Sequence, residues 1–168
     1  VQVTIRPERA DDHVAIGDVI RSAFYGKPYA AGDEAELVET LRDKGALRVS
    51  LVAELERRVI GQIALSAARA SDGTAGWYAL GPVAVLPEYQ AEGIGARLVN
   101  AGLERIIELG AVGCILTGDP AYYVRFGFEP SPAHAPPGEP PEFFMIKILG
   151  DRRPAGPIFF DPAFSSSS

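Results

Sequence analysis

The 168 residues, 47% hydrophobic and 23% charged, have the balance of one folded domain with a sizeable core, not of a disordered polymer. A net charge of −6, from 22 acidic and 16 basic residues, lacks the clustered basic face that nucleic acid requires; Arg57-Arg58 and Arg152-Arg153 are isolated pairs. No apolar run approaches the roughly 20 residues of a membrane-spanning helix, and the single Cys114 excludes an intrachain disulfide. The chain opens on a strand-like segment with no basic region and apolar block before it, so the expected location is the cytoplasm.

Val1–Arg6 alternates and is β-branched, which predicts a strand. Asp11 and Asp12 then offer an N-cap to a helix reaching about Phe24, and Gly26, Pro28 and Gly32 predict a loop over Phe24–Gly32. Glu34–Lys44 reads as a second helix, with Leu37, Val38 and Leu41 on one face and Gly45 as its stop. Leu47–Leu55 and Val59–Ala68 read as paired strands, although the Glu56–Arg58 turn lacks the Gly or Asn of a tight hairpin. After the Ser71-Asp72-Gly73 turn comes a strand over Trp77–Val85.

Gly93–Leu109 is the strongest helix, with Leu98, Val99, Gly102, Leu103, Ile106 and Leu109 in one apolar stripe. Val112–Thr117 is a short buried strand, and Asp119-Pro120 supplies an N-cap and a first-turn proline for a short helix. Strand resumes at Phe128, a proline-dense loop covers Pro130–Pro141, Phe143–Leu149 is another strand, and Ile158–Phe160 a short last one. The helix between the fourth and fifth strands predicts a parallel crossover inside a mostly antiparallel, mixed α/β sheet. Residues 1–150 would be the domain, 151–164 a C-terminal extension with that short strand, and 165–168 a frayed tail.

The chemistry concentrates in Leu80–Ala96, where a buried strand runs through a turn into a long helix that starts with glycines. Glycines there let backbone N–H groups approach a phosphate, and the positive end of the helix dipole adds to the attraction. A dinucleotide fingerprint would need a third glycine, and a P-loop would need Gly-Lys-Ser/Thr; both are absent. Pro82 cannot donate to a sheet ladder, so it predicts a bulge or a splayed strand, the alternative being a kinked edge strand.

Gln90, Gly93 and Gly95, after the Leu-Pro-Glu-Tyr lead-in of residues 86–89, resemble the acetyl-CoA signature of the GNAT superfamily, Gln/Arg-x-x-Gly-x-Gly/Ala. The element order is similar to that superfamily's over most of the chain. The resemblance implies the GNAT fold with splayed central strands, of the bacterial small-molecule-type branch, and acetyl-CoA as cosubstrate with no metal. It implies that the backbone of Ala91, Glu92, Gly93, Ile94, Gly95 and Ala96 cradles the CoA pyrophosphate. Val83, Ala84 and Val85 would line the pantetheine arm, with the backbone of Val83 and Val85 pairing to it like an added strand. The family's Tyr-x-x-x-Gly-Phe element is matched by Tyr123, Gly127 and Phe128, with Tyr123 facing the departing thiol. A phenol of pKa about 10 stays protonated at neutral pH and can donate to a thiolate, whose acid has a pKa of about 8.5. The alternative is a core tyrosine packed on the sheet.

Many relatives carry a glutamate on the strand here read as Trp77–Val85, but this strand has no acid. The base is then a held water, Glu34 or Glu36. Cys114 reads as core, Trp77 and Tyr78 as packing, and His13 and His134 have no metal-ligand spacing; His134 is a candidate for the acceptor pocket wall. Glu92 departs from the basic residue common before the first motif glycine, and Arg97 is a candidate to compensate. The implied function is acetyl transfer to a primary amine of a small molecule or peptide, with a homodimer allowed. The alternative is an acyl-CoA-sensing module without turnover.

Overall fold

The computed structural model describes residues 2–28 and 30–165; Val1 and residues 166–168 of the expected tail lie outside them. Four strands come first, β1 Thr4–Pro7, β2 Leu47–Leu55, β3 Arg58–Ala67 and β4 Arg69–Ala70. They are followed by β5 Trp77–Val85, β6 Gly113–Thr117, β7 Glu129–Pro130, β8 Phe144–Ile148 and β9 Ile158–Phe159. The helices are α1 His13–Phe24, α2 Glu34–Asp43, α3 Ile94–Glu108 and α4 Pro120–Tyr123. Seven strands make one sheet in the order β1-β2-β3-β5-β6-β8-β7, and β4 pairs separately with β9. Among the described residues only β5 and β6 run parallel, with α3 as their crossover; the other pairs are antiparallel. The mixed, mostly antiparallel sheet read from the sequence is thus present.

β5 is central, which excludes the kinked edge strand. Ile63 faces Val83 while Leu65 faces Leu80, so β5 carries one extra residue at Gly81-Pro82. On its other side β5 meets β6 only where Trp77, Tyr78 and Ala79 face Gly113, Cys114 and Ile115. Beyond Ala79 the two strands part. The short contact is tight, because the ring of Trp77 fills the space that a Cβ on Gly113 would occupy. Trp77, Ile115, Phe144, Ile146 and Ile158 form one buried cluster there.

The stripe of α3 is buried at Leu98, Val99, Gly102, Leu103 and Ile106, and Gly102 admits the Leu65 side chain, 2.7 Å from where a Cβ would stand. Leu109 differs from expectation: it is the C-cap and 57% exposed, because Gly110 turns the chain away at φ 86°. Asp12 is the N-cap residue of α1, but its side chain makes no capping bond there. It is buried and binds the Arg6 guanidinium at 2.8 Å and the Arg9 N–H at 2.6 Å, after a 3₁₀ turn over Ala10–Asp12. At the β2–β3 turn, Glu56 and Arg57 take φ of 49° and 68°, the type I′ pattern without glycine.

After β6 the strand expected from Phe128 shrinks to Glu129–Pro130, and the proline-dense loop contains 3₁₀ turns over Pro132–His134 and Pro141–Phe143. Phe143 belongs to that turn and not to β8. The segment past residue 150 returns through β9, with Ile158 buried, to a final 3₁₀ turn over Pro162–Ser165, so Ser165 is structured. Among the described residues no helix is long and apolar enough to cross a membrane.

Candidate active site

The free side of β5 follows from backbone alternation. The Leu86 N–H donates to the Ile60 carbonyl on β3 at 2.8 Å. In an antiparallel pair the next residues alternate, so Ala84 also faces β3 while Val83 and Val85 turn their amides away, toward the gap that β6 leaves. The Val85 carbonyl is met there by the Gln90 side-chain amide, which donates at 2.9 Å. Val83 is half-buried, and Ala84 and Val85 are buried.

From Leu86 a 3₁₀ turn over Pro87–Tyr89 leads to Gln90 in extended conformation, Ala91 at φ 65° and Gly93 at φ 83°. Gly93 is the N-cap of α3 and supplies no side-chain cap, so the first-turn N–H groups have no partner from that residue. A Cβ on Gly93 would meet nothing within 4 Å, and one on Gly95 would meet only the Tyr122 hydroxyl at 3.8 Å and Val85 at 3.9 Å. This open turn and the unpaired side of β5 fit a phosphate group and an amide-bearing chain respectively. Ile94 is buried and anchors the helix, Ala96 is half-buried, and Glu92 is exposed. Arg97 does not take the compensating place expected of it; its guanidinium donates to the Val3 carbonyl at 2.9 Å.

At the end of β6, Asp119 caps α4 by accepting the Ala121 N–H at 3.0 Å, with Pro120 in the first turn. The Tyr123 ring packs over Gly118, where a Cβ would lie 2.7 Å from it, and edge-on to Phe128 at 6.2 Å. Tyr123 thus stands where β6 leaves β5. The following 3₁₀ turn ends at Gly127, φ 89°, and Lys147 Nζ fills the room a side chain there would need while donating to the Phe126 carbonyl at 2.8 Å.

One acid was missed from the sequence. Thr117 Oγ1 donates to Glu139 at 2.8 Å, and the Gly118 N–H donates to the Phe143 carbonyl at 3.0 Å. The proline-dense loop therefore returns a carboxylate to the end of β6, one residue from the glycine under Tyr123. The available signal was that Glu139 is the only acid in 130–141. Of the acids considered, Glu34 is occupied by the Ala31 N–H at 2.9 Å and Glu36 is exposed on α2.

His134 is structural, its ring nitrogens meeting Ser131 Oγ at 2.6 Å and the Pro154 carbonyl at 3.1 Å. His13 meets Glu8 at 3.2 Å. Cys114 and Trp77 are buried in the core, and burial pushes the Cys114 thiol far above its ordinary value. Among the described residues no group of three His, Cys, Asp or Glu could hold a metal. A cavity of about 780 Å³ lies away from Tyr123, between α1 and the β2–β3 turn, with Arg6, Asp18, Glu54, Arg57 and Leu86 in its wall.

Residues 47–130 match the family model described as an acetyltransferase (GNAT) domain. The chain is 36% identical over 131 residues to the uncharacterized N-acetyltransferase YhbS of Escherichia coli K12, spanning 77% of this chain and 75% of that one. The structure is similar to that of a GNAT family acetyltransferase from Brucella melitensis in complex with acetyl-CoA, with TM-score 0.86, 39% identity and coverage of 97% and 98%. It is also similar to that of YhbS from Escherichia coli in complex with CoA, with TM-score 0.87, 31% identity and coverage of 98% and 93%. Fold and relatives together define an acyltransferase that draws its acyl group from acetyl-CoA. The chain belongs to the GNAT acetyltransferase family.

Proposed function

We propose that the enzyme moves the acetyl group of acetyl-CoA to a primary amine of a small molecule or peptide, by direct attack in a ternary complex. What supports this above all is Tyr123, whose ring packs on Gly118 just past the end of β6, beside the gap between β5 and β6. A sensor without turnover has no use for a phenol at that point. Acetyl-CoA supplies an activated acyl group on a sulfur that must leave. In this reading Val83 and Val85 hold the pantetheine arm, with Ala84 between them. The backbone from Ala91 to Ala96 (through Glu92, Gly93, Ile94 and Gly95) holds the pyrophosphate, and Gln90 fixes the loop by its bond to Val85.

Glu139 receives the proton that the attacking nitrogen loses, and Tyr123 gives one to the departing sulfur. Both then exchange with solvent, so the products are an amide and the free thiol. Residues 1–150 serve as the transferase domain, with 151–164 its extension, and the enzyme works in the cytoplasm. Two measurements test the reading. Acetyl-CoA is expected to raise the thermal midpoint, since a ligand of the native state stabilises it by mass action. Thiol release against a panel of amines, polyamines, aminoglycosides, amino acids and peptides is expected to identify an acceptor. No thermal shift at saturating acetyl-CoA, together with no heat of binding, would overturn the reading.

A further inference from the structure

One residue outside the nucleotide-binding signature, Tyr122, faces the start of α3 and carries Arg125 on its ring. Tyr122 reaches from α4 until its hydroxyl is 3.8 Å from the position of a Cβ on Gly95. Arg125 then lies on Tyr122: its Nε donates to the Tyr122 carbonyl at 2.8 Å, and its guanidinium carbon is 4.4 Å from the Tyr122 ring centroid. One hydrogen bond and one stacked face hold the guanidinium in a single place, which lowers the entropy lost when its terminal nitrogens bind something else. Among the described residues no carboxylate pairs with it.

The charge of the loop itself has the wrong sign for a phosphate. Glu92 is exposed just before Gly93, and Arg97 is bonded to Val3. Arg58, at the start of β3, faces Glu88 at 3.6 Å. Arg125 lies on the Tyr122 ring, whose hydroxyl reaches toward Gly95 at the start of α3. We propose that Arg125, stacked on Tyr122, binds a phosphate of CoA beside the start of α3 and offsets Glu92. The proposal rests on the cofactor placement given above. A guanidinium offers a phosphate two parallel N–H donors, which a lysine cannot.

The test is calorimetric binding of CoA and of dephospho-CoA to wild type, Arg125→Gln, Arg125→Lys and Tyr122→Leu, each at low and high salt. Arg125→Gln is expected to weaken CoA about 10-fold at low salt, the size of one charge-assisted contact. The difference should narrow at high salt. Arg125→Lys should fall between, and Tyr122→Leu should reproduce part of the loss, because it removes the stacked face while the backbone carbonyl that accepts from Nε remains. Equal losses with both ligands assign the pyrophosphate; a loss confined to CoA assigns the 3′-phosphate. An Arg125→Gln protein of wild-type affinity at low salt, or a loss indifferent to salt, overturns the proposal. Wild-type protein that binds neither ligand overturns the cofactor placement beneath it, and the proposal with it.

Discussion

The Gln90 side-chain amide donates to the Val85 carbonyl at 2.9 Å, so the loop that leads into α3 closes back on the last residue of β5. The loop is thereby fixed against the strand before any ligand arrives. Gln90→Leu removes the donor at similar bulk and frees Ala91, which holds φ 65° without being glycine. The expected outcome is acetyl-CoA affinity about 5- to 10-fold weaker, the worth of one net hydrogen bond. Titration calorimetry checks it, and unchanged affinity would mean that the loop keeps its shape unaided.

Tyr123→Phe removes only the hydroxyl and leaves the ring on Gly118 and Phe128. Turnover should fall roughly 100-fold or more, the usual worth of a positioned acid, while acetyl-CoA affinity stays near wild type. Steady-state kinetics with the acceptor found in the amine panel, beside a binding titration, separates the two quantities. Wild-type turnover would return Tyr123 to a packing role.

Glu139→Gln keeps a partner for Thr117 but cannot take a proton. Turnover is expected to drop by about 100-fold with acetyl-CoA binding unaffected. Thr117→Val, which only releases the carboxylate from its 2.8 Å tether, should cost less. If both variants turn over like wild type, the nitrogen loses its proton elsewhere.

Glu92→Lys reverses an exposed charge beside the open turn of α3. Because such charges act through high dielectric, binding should tighten by only about 3- to 10-fold at low salt, and the gain should fade as salt rises. Equal or weaker affinity at low salt would place the phosphates away from Glu92.

Stability should fall on acidification for a reason visible under α1. The Arg6 guanidinium holds the Asp12 carboxyl below its ordinary range. At Glu8 burial pushes the carboxyl up, but hydrogen bonds from Arg42 and Ser50 outweigh it and leave it lowered. A carboxyl depressed by folding contributes stability that is complete above its unfolded pKa, about 4, and is lost as pH falls through the folded value. The thermal midpoint should therefore hold near neutrality and drop below about pH 4. Arg42→Met should lower the neutral midpoint and make that drop shallower; an unchanged profile would show that Glu8 is not linked to folding.

Local chemistry made much of this legible. The stripe of α3, the Asp119-Pro120 start of α4 and the irregularity at Pro82 each follow from a few adjacent residues. β9 was readable as the short last strand over Ile158–Phe160, but β4 was not, because it is two residues long and has meaning only once β9 has returned to Arg69 and Ala70. Leu109 fits the helical period but lies past the point where Gly110 ends it. Glu139 was hidden because its place depends on the path of a proline-rich loop, which no periodicity records. Tyr122 and Arg125 were likewise invisible as a pair until α4 was set against α3.

The parting of β5 and β6 gives this sheet an inner margin as well as two outer ones. Amides at Val83 and Val85 lie in the middle of the molecule yet should exchange with deuterium as readily as those of an outer strand, and slow when CoA fills the slot. An unpaired strand margin also invites foreign chains to dock and aggregate. Here the row is short: Pro82 has no N–H to extend it, and Gln90 already occupies the carbonyl of Val85. What is left is too brief to template a peptide strand.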